Sequence, residues 1–417
     1  MKMTKILALV LAILMMATVM IACNGGKQPE EKVHEIKLWV STTDGVKAFF
    51  EKQVADFKAA HPEYKFNITI ETVGEGDAAG EVLKDVKTAP DMYCFAQDQI
   101  SRLVLGGALA PLGVQASATV TANNDAGSVN AATVGDKIYA YPMTSDNGYY
   151  LYYDSSVISD EEAKTWEGIV AACERAGKKF GYNVTNAWIM AGFFFAQPVN
   201  GGDALCHSNW TYSEDGKNAI AVDDNFNSAN GLVAMNVMKW LSSSEMFVDT
   251  ADTFAGTAAV VTGIWNAGAA ESEYGDNVKA VKLPTFTVDG TTYQTGSFSG
   301  YKLIGCKPQD DPEKAKLCAD LALYLTSGEA QLERYYDFQW GPSNLEAQKN
   351  EDVKSNVFLS ALLAQNVYSV PQGVIPGDWW NEAANLGTVA KDATKTEADF
   401  LKALEDYAAK CEAMIVK

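Results

Sequence analysis

The chemistry of this chain is concentrated where aromatic residues stand beside carboxyl, amide and hydroxyl groups, at points where apolar runs end or glycine and proline interrupt them. The clusters are Phe95-Ala96-Gln97-Asp98-Gln99, Ser145-Asp146-Asn147-Gly148-Tyr149-Tyr150, Thr185-Asn186-Ala187-Trp188, Gly263-Ile264-Trp265-Asn266 and Gly377-Asp378-Trp379-Trp380-Asn381. Such groups suit a sugar. A pyranose has apolar C–H faces that stack on indole or phenol rings, and hydroxyls that donate to carboxylates and accept from amides. A single tryptophan is ordinarily core packing, and five clusters together shift the balance toward a binding surface.

Other chemistries fit poorly. Gly74-Glu75-Gly76-Asp77-Ala78-Ala79-Gly80 mimics a dinucleotide-binding turn, but its spacing is one residue too long and two carboxylates would face the pyrophosphate. There is no Walker A sequence, and His34, His61 and His207 lie in neither a zinc-protease motif nor near a nucleophile elbow. A glycoside hydrolase needs only two carboxylates; with 53 acidic residues, carboxylate pairs carry no signal. No metal, cofactor or catalytic residue is expected. The Asn-x-Thr sequons at Asn67, Asn183 and Asn209 are read as chance.

These residues need a framework, and 417 residues allow two or three domains with a buried core. The formal charge is −20, and losing Lys2 and Lys5 with a leader takes it to −22. With no basic run, the chain is not expected to bind nucleic acid or an anionic membrane surface. The leader follows from Lys2 and Lys5 ahead of the apolar run Ile6 to Ala17, which continues to Ala22. Met20-Ile21-Ala22-Cys23, followed by a polar stretch, resembles a bacterial lipobox. That resemblance implies a signal peptide over 1–22, lipidation of Cys23 and a flexible tether over 23–34, anchoring the chain at the extracytoplasmic face of a bacterial cell membrane. No later segment is long and apolar enough to span a bilayer, Ala187 to Ala196 being the longest candidate. Six further cysteines at irregular spacing read as buried thiols rather than a disulfide framework.

Past the tether, Glu35 to Ser41 alternates as a strand, and Val46 to Ala60 carries Val46, Phe49, Phe50, Val54 and Phe57 at helical spacing. Lys65 to Thr72 predicts a second strand, Glu81 to Lys87 a helix and Asp91 to Ala96 an apolar strand. Downstream, helices are expected over Lys164 to Lys178, Asn227 to Leu241 and Pro312 to Thr326, and strands over Ala258 to Thr262 and Val278 to Leu283. The alternation predicts an α/β fold of mostly parallel sheets, with ligands beyond the strands' carboxyl ends.

At these landmarks the sequence resembles the maltose-binding-like solute-binding proteins that deliver sugars to ATP-driven (ABC) importers. Ala89-Pro90-Asp91 with its apolar run to Asp98, then Gly107 to Leu112, Gly135 to Pro142, Tyr153-Asp154 and Lys164 to Ile169 are similar to family elements, in family order. Gly256 to Trp265, Leu283 to Phe286 and Lys314 to Gly328 follow. The resemblance covers roughly 35 to 417. It implies a two-lobed periplasmic-binding-protein fold (class II) with a ligand cleft between lobes, one lobe over 33–145 plus 297–350, the other over 146–296 plus 351–417. It further implies a monomer that closes about a hinge on an oligosaccharide and is read by a permease. Carried over residue by residue, Asp44 and Asp98 match sugar-binding acids and Phe95 an aromatic contact. Asp146 approximates another acid, with Ser145 and Asn147 as alternatives. Trp188, Trp265 and either Trp379 or Trp380 match stacking rings. Gln99 stands where the maltose binder has Arg, Gly45 where it has Lys and Phe95 where it has Trp. An α-linked gluco-oligosaccharide is the first choice of ligand; another oligosaccharide, a non-sugar solute such as a polyamine or oligopeptide, and a lipid-anchored hydrolase are the alternatives.

Overall fold

A computed structural model describes residues 32–213 and 218–416. Residues 1–22, expected to be a signal peptide, and Cys23, expected to be lipidated, lie outside the described residues.

The described residues begin with β1 (His34–Val40), α1 (Val46–Ala60), β2 (Phe66–Thr72), α2 (Ala78–Val82) and β3 (Met92–Ala96). After α3 (Ile100–Leu105) it reaches β4 (Ala140–Thr144) and then crosses to a second sheet at β5 (Tyr150–Asp154). That half contains α4 (Trp166–Ala176), β6 (Lys179–Gly181), α5 (Ala187–Phe194), the hairpin β7 (Ser208–Tyr212) and β8 (Ala219–Asp224), and α6 (Ala229–Ser242). It continues with β9 (Phe247–Val248), β10 (Thr257–Thr262) and β11 (Val278–Val281). The chain then returns as β12 (Lys302–Cys306) and α7 (Pro312–Leu325), and ends with α8 (Val357–Asn366), α9 (Trp379–Lys391) and α10 (Glu397–Ala413).

The first sheet has the order β2-β1-β3-β12-β4 and the second β9-β6-β10-β5-β11. Neither is mostly parallel as expected. In each, two strand pairs are parallel and two antiparallel. The cause in the first sheet is the return strand. β12 enters from the other sheet, so it runs opposite to both β3 and β4.

Local chemistry explains several boundaries. The five apolar residues predicted for the first helix are all buried on α1, which stops where Pro62 would have to donate an N–H it lacks. The Thr165 hydroxyl accepts from the Gly168 N–H at 3.0 Å to start α4. Gly177, at φ +63°, ends it in the left-handed region that glycine tolerates. Asp311 caps α7, with Pro312 at its first position. The helix expected over 81–87 lies instead at 78–82, because the Ala79 N–H is held by the Gln99 side chain at 2.7 Å, drawing the first turn toward β3.

Both faces of β3 are buried. Met92 and Cys94 belong to one apolar cluster, Tyr93 and Phe95 to another on the opposite face. Tyr150 and Tyr152 of β5 join the cluster that also holds Met143 and Ile304 of the first sheet, so the halves share a core where the chain crosses. The six cysteines of the described residues are all buried and free. No described helix is long and apolar enough to cross a membrane.

Candidate functional site

The turns following β1, β2 and β3 converge on one cleft of about 630 Å³. Ser41, Thr42 and Thr43 follow β1, Glu75, Gly76 and Asp77 follow β2, and Ala96 and Asp98 close β3. The carboxyl ends of parallel strands open a crevice because their connections leave in opposite directions. Arg102 of α3 and Lys302 of β12 complete this wall. Three carboxylates therefore face two cations.

The opposite wall is aromatic. Trp188 is the second residue of α5, Trp380 the second of α9, and Trp265 sits in the single 3-10 turn after β10. All three line the cleft, each from a first helical turn. The Trp188 and Trp265 rings lie 5.9 Å apart at 43°. Asn186 holds α5 in place by accepting from the Trp188 N–H at 2.9 Å. The Trp188 indole donates to Gln372 at 3.0 Å and its ring meets Tyr149 edge-on at 4.6 Å. Trp265 folds back over Gly263, where an added Cβ would come within 2.1 Å of the ring. Glycine there lets the indole lie flat.

Lys302 lies beneath this wall, only 6% exposed. Its ammonium sits 5.2 Å from the Trp265 ring centre, 4.4 Å from that of Trp340 and 3.7 Å from Glu75. The indole faces and the carboxylate together offset its lost hydration. Glu75 also accepts from the Ser41 hydroxyl at 3.1 Å. Desolvation pushes the Asp98 carboxyl up to about 7, with Arg102 pulling the other way. Asp98 keeps one side half-open to the cleft.

Asp98, Trp188, Trp265 and Trp380 of the residues singled out from sequence are thus brought together, with Asn147, an alternative to Asp146. The others are not. Phe95 is fully buried against Tyr93, because alternate positions of β3 face the helices. Gln99 is sealed in, accepting from Ala79 and donating to the Glu75 carbonyl at 2.5 Å; it holds the Glu75 turn. Asp146 is 1% exposed and accepts from the Gly341 N–H at 2.6 Å, tying down the crossover. Asp44 is exposed, accepting from the Gly45 N–H, and its neighbours rather than itself line the cleft. Trp379 points into the core and donates to Tyr407 at 2.7 Å. Consecutive helical residues diverge by about 100°, so only Trp380 reaches the cleft.

Sequence reasoning missed Glu75, Asp77, Arg102, Lys302 and Gln372. The signal for the first two was present, since two acids in a glycine-rich turn after a parallel strand lie where ligands bind. Lys302 stands alone in an apolar strand and had no motif to reveal it.

A cleft between two α/β sheets, walled by polar turns on one side and indoles on the other, is the geometry of a protein that captures a small molecule. The family described as bacterial extracellular solute-binding protein matches residues 52–361. The chain belongs to that family. Its members bind solutes and are not enzymes. No curated protein sequence matches the chain. Among solved structures, the maltodextrin-binding protein of L. casei BL23 without ligand is 24% identical with a TM-score of 0.73, over 91% of this chain and 99% of that one. The maltose/maltodextrin-binding domain of Bdellovibrio bacteriovorus bound to maltotriose is 15% identical with a TM-score of 0.74, over 91% and 100%. The maltose-maltodextrin binding protein of Alicyclobacillus acidocaldarius is 17% identical with a TM-score of 0.71, again over 91% and 100%. The solute-binding protein therefore has their two-lobed α/β fold.

Proposed function

We propose that this solute-binding protein captures an oligosaccharide, with an α-linked gluco-oligosaccharide as the first choice, and delivers it to an ABC permease. The observation that carries this reading is the convergence of Trp188, Trp265 and Trp380 on one cleft opposite a wall of hydroxyls and carboxylates. Separate rings suit successive sugar faces, and the opposing acceptors suit their hydroxyls. The maltodextrins named for the structural relatives support the same class. On this reading 33–145 with 297–350 and 146–296 with 351–417 are the two lobes. A ligand touching both favours the closed form by its differential affinity.

Titration with maltotriose, maltotetraose and matched xylo- and fructo-oligosaccharides tests the proposal. The expected result is quenched tryptophan fluorescence together with a smaller radius of gyration for one series. If every series at millimolar concentration leaves both signals unchanged, the oligosaccharide reading fails. The same proposal places the lipid on Cys23. Cys23→Ala should release the protein from cells or leave it unprocessed, and unchanged partitioning into detergent would remove the anchor from the scheme.

A further inference from the structure

The cleft does not end at Asp98. Beyond it lies a side chamber of about 230 Å³, and Asp98 and Arg102 line both spaces. The chamber draws on both halves of the molecule: Ser101 and Arg102 come from α3, Tyr212 and Asn218 from the hairpin, and Pro376 and Gly377 from the segment before α9. Its volume is below the roughly 300–1,000 Å³ of sites for drug-sized ligands, which suits a single ring rather than a chain.

Arg102 sets this place apart. The chain has three arginines. Arg175 pairs with Glu162 at 2.9 Å, and Arg334 donates to two backbone carbonyls at 3.2 and 2.8 Å. Arg102 alone has neither an ion pair nor a side-chain hydrogen bond among the described residues, although it is half-buried. None of its nitrogens is a buried unpartnered atom, so its donors are open to a ligand in the cleft. One of its terminal nitrogens, Nη1, lies beside Gly377, where an added Cβ would stand 3.3 Å away, so bare backbone leaves room around the fork. Asp98, which lines both spaces with it, does not pair with it, and desolvation holds that carboxyl partly protonated near neutrality. Lys302, the other cation of the cleft, is already matched by Glu75 and two indole faces.

A planar fork of donors fits a carboxylate through two parallel hydrogen bonds, where a neutral hydroxyl engages only one. We propose that the ligand of this cleft is an acidic oligosaccharide, one unit of which carries a carboxylate held by Arg102 at the mouth of the side chamber. This rests on the oligosaccharide reading above and replaces its first choice, a neutral gluco-oligosaccharide, with an acidic one. Trp188, Trp265 and Trp380 stack the chain of sugars, and Arg102 reads the uronic acid unit.

Calorimetric titration of the full chain with matched pairs tests it: trigalacturonate against its carboxyl-reduced form, and xylotriose with and without a glucuronate branch. At least one acidic probe should bind about tenfold tighter than its neutral partner, the worth of one charge-assisted hydrogen bond. In Arg102→Gln that ratio should fall to about one, whatever the neutral affinity becomes, and Arg102→Lys should restore part of it. Neutral sugars binding as well as their acidic partners would overturn the acidic-ligand inference and leave the oligosaccharide reading standing. A preference that survives Arg102→Gln and disappears in Lys302→Gln would overturn the assignment to Arg102. If neither these probes nor the neutral series bind, both readings fall together.

Discussion

The two walls of the cleft divide its chemistry. On the first lobe, Ser41 to Thr43, Glu75 to Asp77, Asp98 and Arg102 offer hydroxyls and charges from turns after parallel strands. On the second, Trp188, Trp265 and Trp380 offer apolar faces from first helical turns. The polar wall can orient a ligand but buries little apolar surface, and the aromatic wall stacks without selecting hydroxyl geometry. Neither half is a complete site. On the proposed oligosaccharide reading, a ligand that needs both walls favours a form in which they close on it.

Five substitutions sharpen or break this division. The largest effect is expected outside the cleft, at Trp379. Trp379→Ala removes a fully buried indole and its bond to Tyr407, and should cost about 3 to 5 kcal/mol of stability in denaturant unfolding. Trp380→Ala, one residue on, should leave the unfolding midpoint nearly unchanged and lower sugar affinity. The reverse outcome would exchange the two assignments.

Next comes Trp265→Ala, expected to weaken binding by about 2 kcal/mol, roughly thirtyfold, as for a tryptophan anchor in other interfaces. Its thermal midpoint without ligand should change little. A matching loss of stability would make Trp265 part of the core instead of the aromatic wall.

Asp98→Asn should act in two directions. The folded carboxyl titrates at about 7 and an unfolded one near 3.9, so the folded state holds the proton longer. Stability contributed by Asp98 is thus present below pH 4 and lost as pH rises toward 7. Allowing for the water at its open side, Asp98→Asn should stabilise the empty protein by about 1 to 2 kcal/mol at pH 8 and by nothing at pH 3.5, while weakening ligand binding. Equal thermal midpoints for the two proteins across that range would mean the carboxyl is better solvated than its surroundings indicate. The smallest effect is expected at Asp44: Asp44→Ala should bind sugar as the wild type does, and a tenfold loss would return that acid to the polar wall.

What the sequence disclosed follows the same physical lines. Tryptophans at breaks in the apolar pattern proved to stand on the first turns of helices, where side chains can reach a crevice, so Trp188, Trp265 and Trp380 were legible. Phe95 and Trp379 were not separable from them by type or neighbourhood. Their direction depends on strand alternation and helical rotation, which a cluster of letters does not carry. The first helix was readable because one face packs against a sheet along its whole length. The antiparallel entry of β12 was not, since it is set by a crossover joining parts of the chain more than 150 residues apart. Lys302 illustrates the same limit: its partners Glu75, Trp265 and Trp340 meet only in three dimensions.

The six buried thiols bear on how a protein of this family survives outside the cytoplasm. Burial pushes Cys173, Cys206, Cys318 and Cys411 up to about 12 and raises Cys94 and Cys306 as well. The reactive species toward oxidants is the thiolate, so the cysteines of the described residues offer almost none once folded. The freshly exported chain has no such shelter. Its vulnerable interval is the time between crossing the membrane and closing its core, which sets a race between folding and oxidation that a disulfide-bonded protein would have no reason to run.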